Sequence, residues 1–178
     1  MSVFSLLEDL KVKIGEGFTK YPMRVEGKDE VYRIPYVYIG HTPPKRDGSS
    51  EGSPPMILIR SLTGEIKQGQ GTKRIYETRV GILCLAYSHE SYENIEAGYN
   101  DIINMCEVVM LILNNNLYYA NNKWRFLEPI KWTSGVDKAE GLYVQGTQTH
   151  PFYGSIFEAT FHTEAPERKI FDIGVINV

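Results

Sequence analysis

Tyr92, Ile95, Tyr99, Ile102, Ile103, Cys106, Val109, Met110 and Leu113 recur at three- and four-residue intervals, the period that lines side chains along one face of an α-helix. Ser91 opens the run, and Glu93 and Glu96 fall in its early turns, where the helix macrodipole favours negative charge. Asn114, Asn115 and Asn116 offer left-handed positions to close it. At ~1.5 Å per residue such a helix is about 30 Å long or more. An apolar stripe of that length has to be covered by a sheet or by other helices, which limits the chain to a few layered architectures.

The sequence around this helix favours a sheet. The apolar run GILCLAY, residues 81–87, closes a longer β-rich segment (74–88) and has the character of a central strand buried on both faces. Residues 56–59, MILI, read the same way. Residues 31–39 are β-rich but contain Pro35, which removes a ladder donor and predicts an edge strand or a bulge. Residues 124–132, with Pro129, and 142–149 supply further strands. Near the start, Phe4, Leu7, Leu10, Lys11 and Ile14 predict a short amphipathic helix, with Ser2 as N-cap and Gly15 or Gly17 to end it. Strands grouped before and after one long helix, instead of alternating with helices, predict an α+β fold. The expected form is a mostly antiparallel sheet packed by the long helix and the short N-terminal one.

With 178 residues, 42% of them hydrophobic, the chain can bury a sizeable core, and a single domain over 1–178 is expected. Its one clear punctuation is HTPPKRDGSSEGSPP, residues 41–55, which lacks periodic apolar positions and predicts a flexible surface loop. Too little sequence precedes it for an independent core, so it is an excursion from the domain, and one that a partner could order. Net charge is −3 with lysines and arginines scattered, which argues against an electrostatic binder of duplex nucleic acid. Cys84 and Cys106 both fall in apolar periodic segments, as reduced core cysteines do. Residues 1–15 lack the features of a signal peptide, and no apolar stretch reaches the ~20 residues that span a bilayer. The expected compartment of synthesis is cytoplasm.

The stretch with most chemical content is THPFYGSIFEATFHTE, residues 149–164. In a strand, Tyr153, Phe157, Ala159 and Phe161 share one face, while Ile156, Glu158, Thr160, His162 and Glu164 share the other. His162 and Glu164 then lie about 6.6 Å apart along the strand, too far to share a metal without a third ligand, and none stands at a suitable spacing. His150, Glu158, His162 and Glu164 are therefore read as the polar side of a half-solvated strand, part of which meets another subunit. Other candidates are equally bland. GQGTKR, residues 69–74, lacks the phosphate-loop spacing and predicts a turn between strands. Neither Ser134-Gly135 nor Gly154-Ser155 forms a nucleophile elbow, and Asp101 and Glu107 are six apart on the helix, so they do not neighbour each other. Tyr118-Tyr119 could stack on bases, but the sequence shows no basic groove beside it.

The order of PPMILIR with SLTGE after it, SHESYENIEAGYNDIINMCEVVMLIL, LEPIKW and HPFYGSIFEATFH resembles the tail terminator and tail completion proteins of long-tailed bacteriophages and prophages. The resemblance covers residues 54–164; its most specific parts are the acidic, tyrosine-bearing start of the long helix and the aromatic-Gly strand. It implies a virion structural protein, an α+β subunit that closes into a homo-oligomeric ring, usually a hexamer, on the head-proximal end of the tail tube. Such a ring ends tube polymerisation and joins tail to head. Its partners would be copies of itself, the tail tube protein and the head–tail connector, with DNA passing through the ring and no sequence-specific nucleic-acid or membrane contact. The resemblance implies no catalytic residue, metal or cofactor, assembly in host cytoplasm, and residence at the head–tail junction.

Two parts depart from that pattern: the loop at 41–55 and a C-terminal extension, ERKIFDIGVINV, at 167–178. An apolar, β-prone end of this kind is expected to dock on its own sheet or a neighbouring subunit. Candidate subunit or partner contacts are thus Lys45, Arg46 and Asp47 in the loop, Glu158 and His162 on the polar strand face, and Ile170, Phe171 and Ile173 in the extension. Another neck or tail-tube protein, such as a head-closure subunit, is the alternative; a small enzyme or ligand-binding domain would need a polar pocket joining His150 or His162 to a carboxylate.

Overall fold

The computed structural model describes residues 2–25, 28–43, 52–69, 73–87, 95–134, 136–139, 142–145 and 152–165. The fold is α+β: two helices and a six-stranded mixed sheet curled as a half-barrel. In chain order the elements are α1 (Val3–Gly17), a 3-10 turn (Phe18–Lys20), β1 (Met23–Val25), β2 (Lys28–Arg33), β3 (Tyr36–Ile39), β4 (Met56–Gln68) and β5 (Arg74–Tyr87). They continue with α2 (Ile95–Asn115), β6 (Tyr118–Tyr119), β7 (Trp124–Ser134), β8 (Val136–Ala139), β9 (Leu142–Gln145) and β10 (Phe152–Glu164). The sheet runs β3-β4-β5-β10-β7-β6, and β1–β2 and β8–β9 form separate antiparallel pairs.

α1 begins as its sequence dictates, with the Ser2 hydroxyl accepting the Phe4 N–H at 3.1 Å. Its buried stripe is Leu6, Leu7, Leu10 and Ile14. Phe4 is not in it: that ring is 60% exposed, and Leu6 takes its place. Neither Gly15 nor Gly17 ends the helix as a left-handed cap, because the chain passes through Gly17 straight into the 3-10 turn. Gly17 serves a close approach instead: a Cβ there would collide with the Ile112 side chain of α2.

α2 has 21 residues, about 31 Å of helix. It buries Ile102, Met105, Cys106, Val109, Ile112 and Leu113 against the sheet and α1. The stripe is rotated from the predicted one, taking in Met105 and Ile112 and leaving Tyr99 exposed. The predicted opening at Ser91–Glu93 lies outside the described residues. At the other end Asn116 closes the helix with its side chain, the Nδ2 amide donating to the Ile112 carbonyl at 2.7 Å, and not with left-handed backbone. Where α2 crosses β10, Gly98 leaves room for the Tyr153 ring, which a Cβ would overlap.

The predicted antiparallel sheet is corrected at one edge. β4–β5, β5–β10, β10–β7 and β7–β6 pair antiparallel, but β3 runs parallel to β4, with Tyr36 opposite Met56 and Ile39 opposite Ile59. Pro35 separates β3 from β2, so the 31–39 segment is divided between an accessory hairpin and an edge strand. Parallel neighbours need a crossover, and residues 40–55 provide it. This gives a topological reason for the long loop. Its return leg is not a free surface segment: Ser53, Pro54 and Pro55 are buried, the Gly52 N–H donates to the Tyr38 hydroxyl at 3.2 Å, and Arg33 donates to the Ser53 carbonyl at 2.5 Å. The Pro54–Pro55 peptide is cis.

β5 is flanked by β4 and β10, and its Val80, Ile82, Leu83, Cys84 and Ala86 are buried. Cys84 and Cys106 are both buried, free, and hydrogen-bonded to each other between β5 and α2. Desolvation pushes the Cys84 thiol well up, which keeps it protonated. The inner face of β10 is Tyr153, Ser155, Phe157, Ala159, Phe161 and Thr163, and its outer face carries Ile156, Glu158, Thr160 and His162 in half-exposed positions.

Candidate interaction face and basic pocket

The outer face of the sheet has two halves. Toward the Met56 end of β4, Leu58 and Leu83 are buried, with Tyr38, Leu85 and Ile156 packed on them. Toward the opposite end the face is charged, because the strand period that buries Phe157, Ala159 and Phe161 turns Glu158, Thr160 and His162 outward. Ladder register then sets one residue from each strand in a row: Tyr118, Arg125, His162, Glu77 and Glu65, on β6, β7, β10, β5 and β4.

This row changes sign along its length. Glu65 and Glu77 face each other directly, a destabilising pairing by itself. Lys67 resolves it by reaching both carboxylates, Glu77 at 2.6 Å and Glu65 at 2.8 Å, and these two bonds raise its pKa, Glu65 first. On the other side, Arg125 stands opposite His162. Burial, and after it the Arg125 charge, hold the His162 imidazole below its ordinary pKa, with Glu77 acting weakly in the other direction. With strands ~4.8 Å apart, Glu65 on β4 and Arg125 on β7, three strands along the row, are about 14 Å from each other. Glu158 pairs with Arg79 at 3.4 Å, and Glu164 with Lys73 at 3.0 Å.

The ends of β5, β10, β6 and β7 enclose a concavity of about 640 Å³ lined by Lys73, Arg74, Tyr118, Asn122, Lys123, Arg125, His162 and Glu164, among others. Beneath it is an aromatic floor. Tyr119 stands edge-on to Phe161 at 5.2 Å, Phe126 lies 5.5 Å from Phe161, and Tyr76 stands edge-on to Trp124 at 5.6 Å. Tyr119 is therefore core and not a stacking platform; burial, then Asp9, raises its phenol pKa. Tyr118, its neighbour on the strand, points outward and is 46% exposed.

The turn that carries Lys123 over the pocket has three successive left-handed residues, Ala120, Asn121 and Asn122, with φ of 49°, 57° and 61°. Asparagine tolerates that region and alanine does not. The turn is held from α1: the Asp9 carboxylate accepts the Ala120 N–H at 2.8 Å, and the Lys13 ammonium donates to the Tyr118 carbonyl at 2.9 Å while lying 4.3 Å from the centre of the Tyr119 ring.

A second, larger concavity of about 790 Å³ lies between α2 and the segment running from the 3-10 turn to the β1–β2 hairpin, walled by Tyr21, Tyr32, Val108 and Leu111. Among the described residues no three His, Cys, Asp or Glu side chains are placed to hold a metal, and no helix is long and apolar enough to cross a membrane.

Of the predicted contact residues, Glu158 and His162 lie on the outer face as expected. Lys45, Arg46, Asp47, His150, Ile170, Phe171 and Ile173 lie outside the described residues. Sequence reasoning missed Lys73, Arg74, Lys123 and Arg125, which come from two short turns, GQGTKR and NNKWR, whose proximity depends on strand order. Comparison of the chain with protein-family models and with curated proteins yields no match.

Proposed function

We propose that the chain is a virion structural subunit that closes into a homo-oligomeric ring on the head-proximal end of a phage tail tube, ending tube growth and joining tail to head. The observation that carries this reading is the change of sign along the outer sheet face, from Glu65 and Glu77 on β4 and β5 to Arg125 on β7. A surface with opposite charge on its two sides suits head-to-tail contact between copies, and head-to-tail contacts close into rings when the rotation per subunit fits.

In this reading the chain is not an enzyme, and it acts at the head–tail junction after assembly in the host cytoplasm. The tube grows because each ring offers a surface to the next, so a cap must grip that surface on one side and present a different one on the other. The globular sheet grips the tube, and the loop of residues 41–55 faces the head connector or adjacent subunits. Deletion of the gene from its phage is expected to give overlong tails and separate, DNA-filled heads. Shortening residues 44–51 is expected to leave tail length normal and impair joining. Tails of normal length attached to heads in the full deletion contradict the assignment.

A further inference from the structure

We propose that the pocket at the ends of β5, β10, β6 and β7 binds a nucleotide unit, its phosphate held by Arg74, Lys123 and Arg125 and its base stacked on Tyr118, without base-specific readout. The inference does not rest on the ring reading, but the pocket shares Arg125 and His162 with the basic side of the outer face, so ring closure is read separately, by imaging.

Three observations converge on it. The walls of the pocket bring together four cations, Lys73, Arg74, Lys123 and Arg125, against one carboxylate, Glu164, in a chain whose net charge is −3. That carboxylate is engaged at the rim by Lys73, and both side chains are largely exposed. Among the described residues no carboxylate pairs with Arg74, Lys123 or Arg125. Uncompensated like charges repel one another, and an anion between them removes that repulsion. Arginine offers a planar fork that matches phosphate oxygens.

The second observation is the flat apolar partner. Tyr118 presents an exposed ring on the pocket wall directly opposite Arg125 in the ladder. A cation beside an aromatic face is the combination that holds a nucleotide by phosphate and base together, and it tolerates any base because each has a π-face. A simple inorganic anion would make no use of the ring. The third observation is rigidity. The strained turn over the pocket is fixed by Asp9 and Lys13 from the other side of the sheet, and strain of this kind collects at binding sites.

The volume, about 640 Å³, is that of a pocket for a small ligand, so the nucleotide unit comes either from a free nucleotide or from one residue of a single strand. Labelled oligothymidylate of about ten nucleotides, titrated into the full chain at 50 mM salt, separates these sources when competed with thymidine monophosphate and with inorganic phosphate. Strand binding that millimolar monophosphate displaces points to the free nucleotide; strand binding that it leaves intact points to nucleic acid. With one phosphate held in the pocket, affinity for the strand should fall only about 2–3-fold between 50 and 200 mM salt.

Arg125→Gln and Lys123→Gln should each weaken binding several-fold. Tyr118→Leu should weaken it at least fivefold, with unchanged circular dichroism. Lys11→Gln, on the exposed side of α1, should leave it unchanged. Absence of binding at 50 mM salt overturns the proposal. So does binding that survives Arg125→Gln with Lys123→Gln together, or equal binding of polyglutamate with no effect of Tyr118→Leu, which would reduce the pocket to a generic polyanion patch.

Discussion

The Asp9 carboxylate on α1 accepts the backbone N–H of Ala120, 111 positions along the chain, at 2.8 Å. Ala120 has a φ of 49°, a conformation that costs a residue with a Cβ about 1–2 kcal/mol. One hydrogen bond thus ties the first helix to the left-handed turn over the basic pocket. Asp9→Ala leaves that N–H without its partner and is expected to cost ~1–3 kcal/mol. Ala120→Gly removes the steric cost and is expected to raise stability by about 0.5–1 kcal/mol, less whatever the freer unfolded chain takes back. Urea denaturation of both variants checks the pair; an Asp9→Ala chain as stable as the native one contradicts the role given to this contact.

The two faces of β10 predict opposite mutational outcomes from adjacent positions. Phe157 is fully buried between the sheet and the helices, so Phe157→Ala should cost ~3–5 kcal/mol. Glu158, next to it, pairs with a half-exposed Arg79, and Glu158→Gln should stay within ~0.5 kcal/mol of native. Thermal and urea unfolding of the two variants side by side decide this, and equal losses would contradict the assignment of faces.

His162 yields a pH prediction whose sign follows from its environment. Burial, and secondarily Arg125, depress its pKa in the folded chain, so the folded state binds fewer protons there than the unfolded one. The stability linked to this group is complete above the unfolded value of about 6.5 and is lost as pH falls from there through the folded pKa. His162→Gln removes that loss. The variant should match native stability at pH 7.5 and gain on it at pH 5, as measured by denaturant midpoints. A gain on the native chain at pH 7.5 that disappears at pH 5 would show that the shift has the opposite sign.

Gly98 lies where α2 crosses the Tyr153 ring, and a Cβ there would overlap that ring. Gly98→Ala ordinarily helps a helix by close to 1 kcal/mol. Here the overlap should reverse the sign and destabilise the chain by ~1–3 kcal/mol, while Gly98→Ala combined with Tyr153→Leu should recover part of the loss. Calorimetry of the single and double variants tests that coupling.

Strand period was the most legible signal in the sequence. In residues 157–162 each alternation of apolar and polar side chains corresponds to an inner and an outer position, because a half-covered strand has only two faces to choose between. The run at 81–87 similarly announced a strand flanked on both sides. Helical stripes were legible only to within a residue or two: Phe4 and Tyr99 have the right spacing, yet Leu6 and Met105 are the ones buried, since neighbouring helix positions differ by 100° and packing selects among them. Strand order was not legible. Nothing local shows that β3 lies parallel to β4, nor that the turns bearing Lys73-Arg74 and Lys123-Arg125 meet at the same end of the sheet. For that reason scattered basic residues concealed a basic pocket, and Tyr118 had no visible partner.

The proposed ring requires that copies of this chain meet head to tail, the acidic side of one outer face toward the basic side of the next. Negative-stain imaging of the purified full chain, with light scattering across a concentration series and in the presence of tail tubes, addresses it most directly. Closed rings of about six copies are expected, free in solution or seated on tube ends, dissociating when Glu65→Lys and Glu77→Lys are introduced together and re-forming when that variant is mixed with an Arg125→Glu chain. Monomers at every concentration, both alone and with tubes, would contradict it.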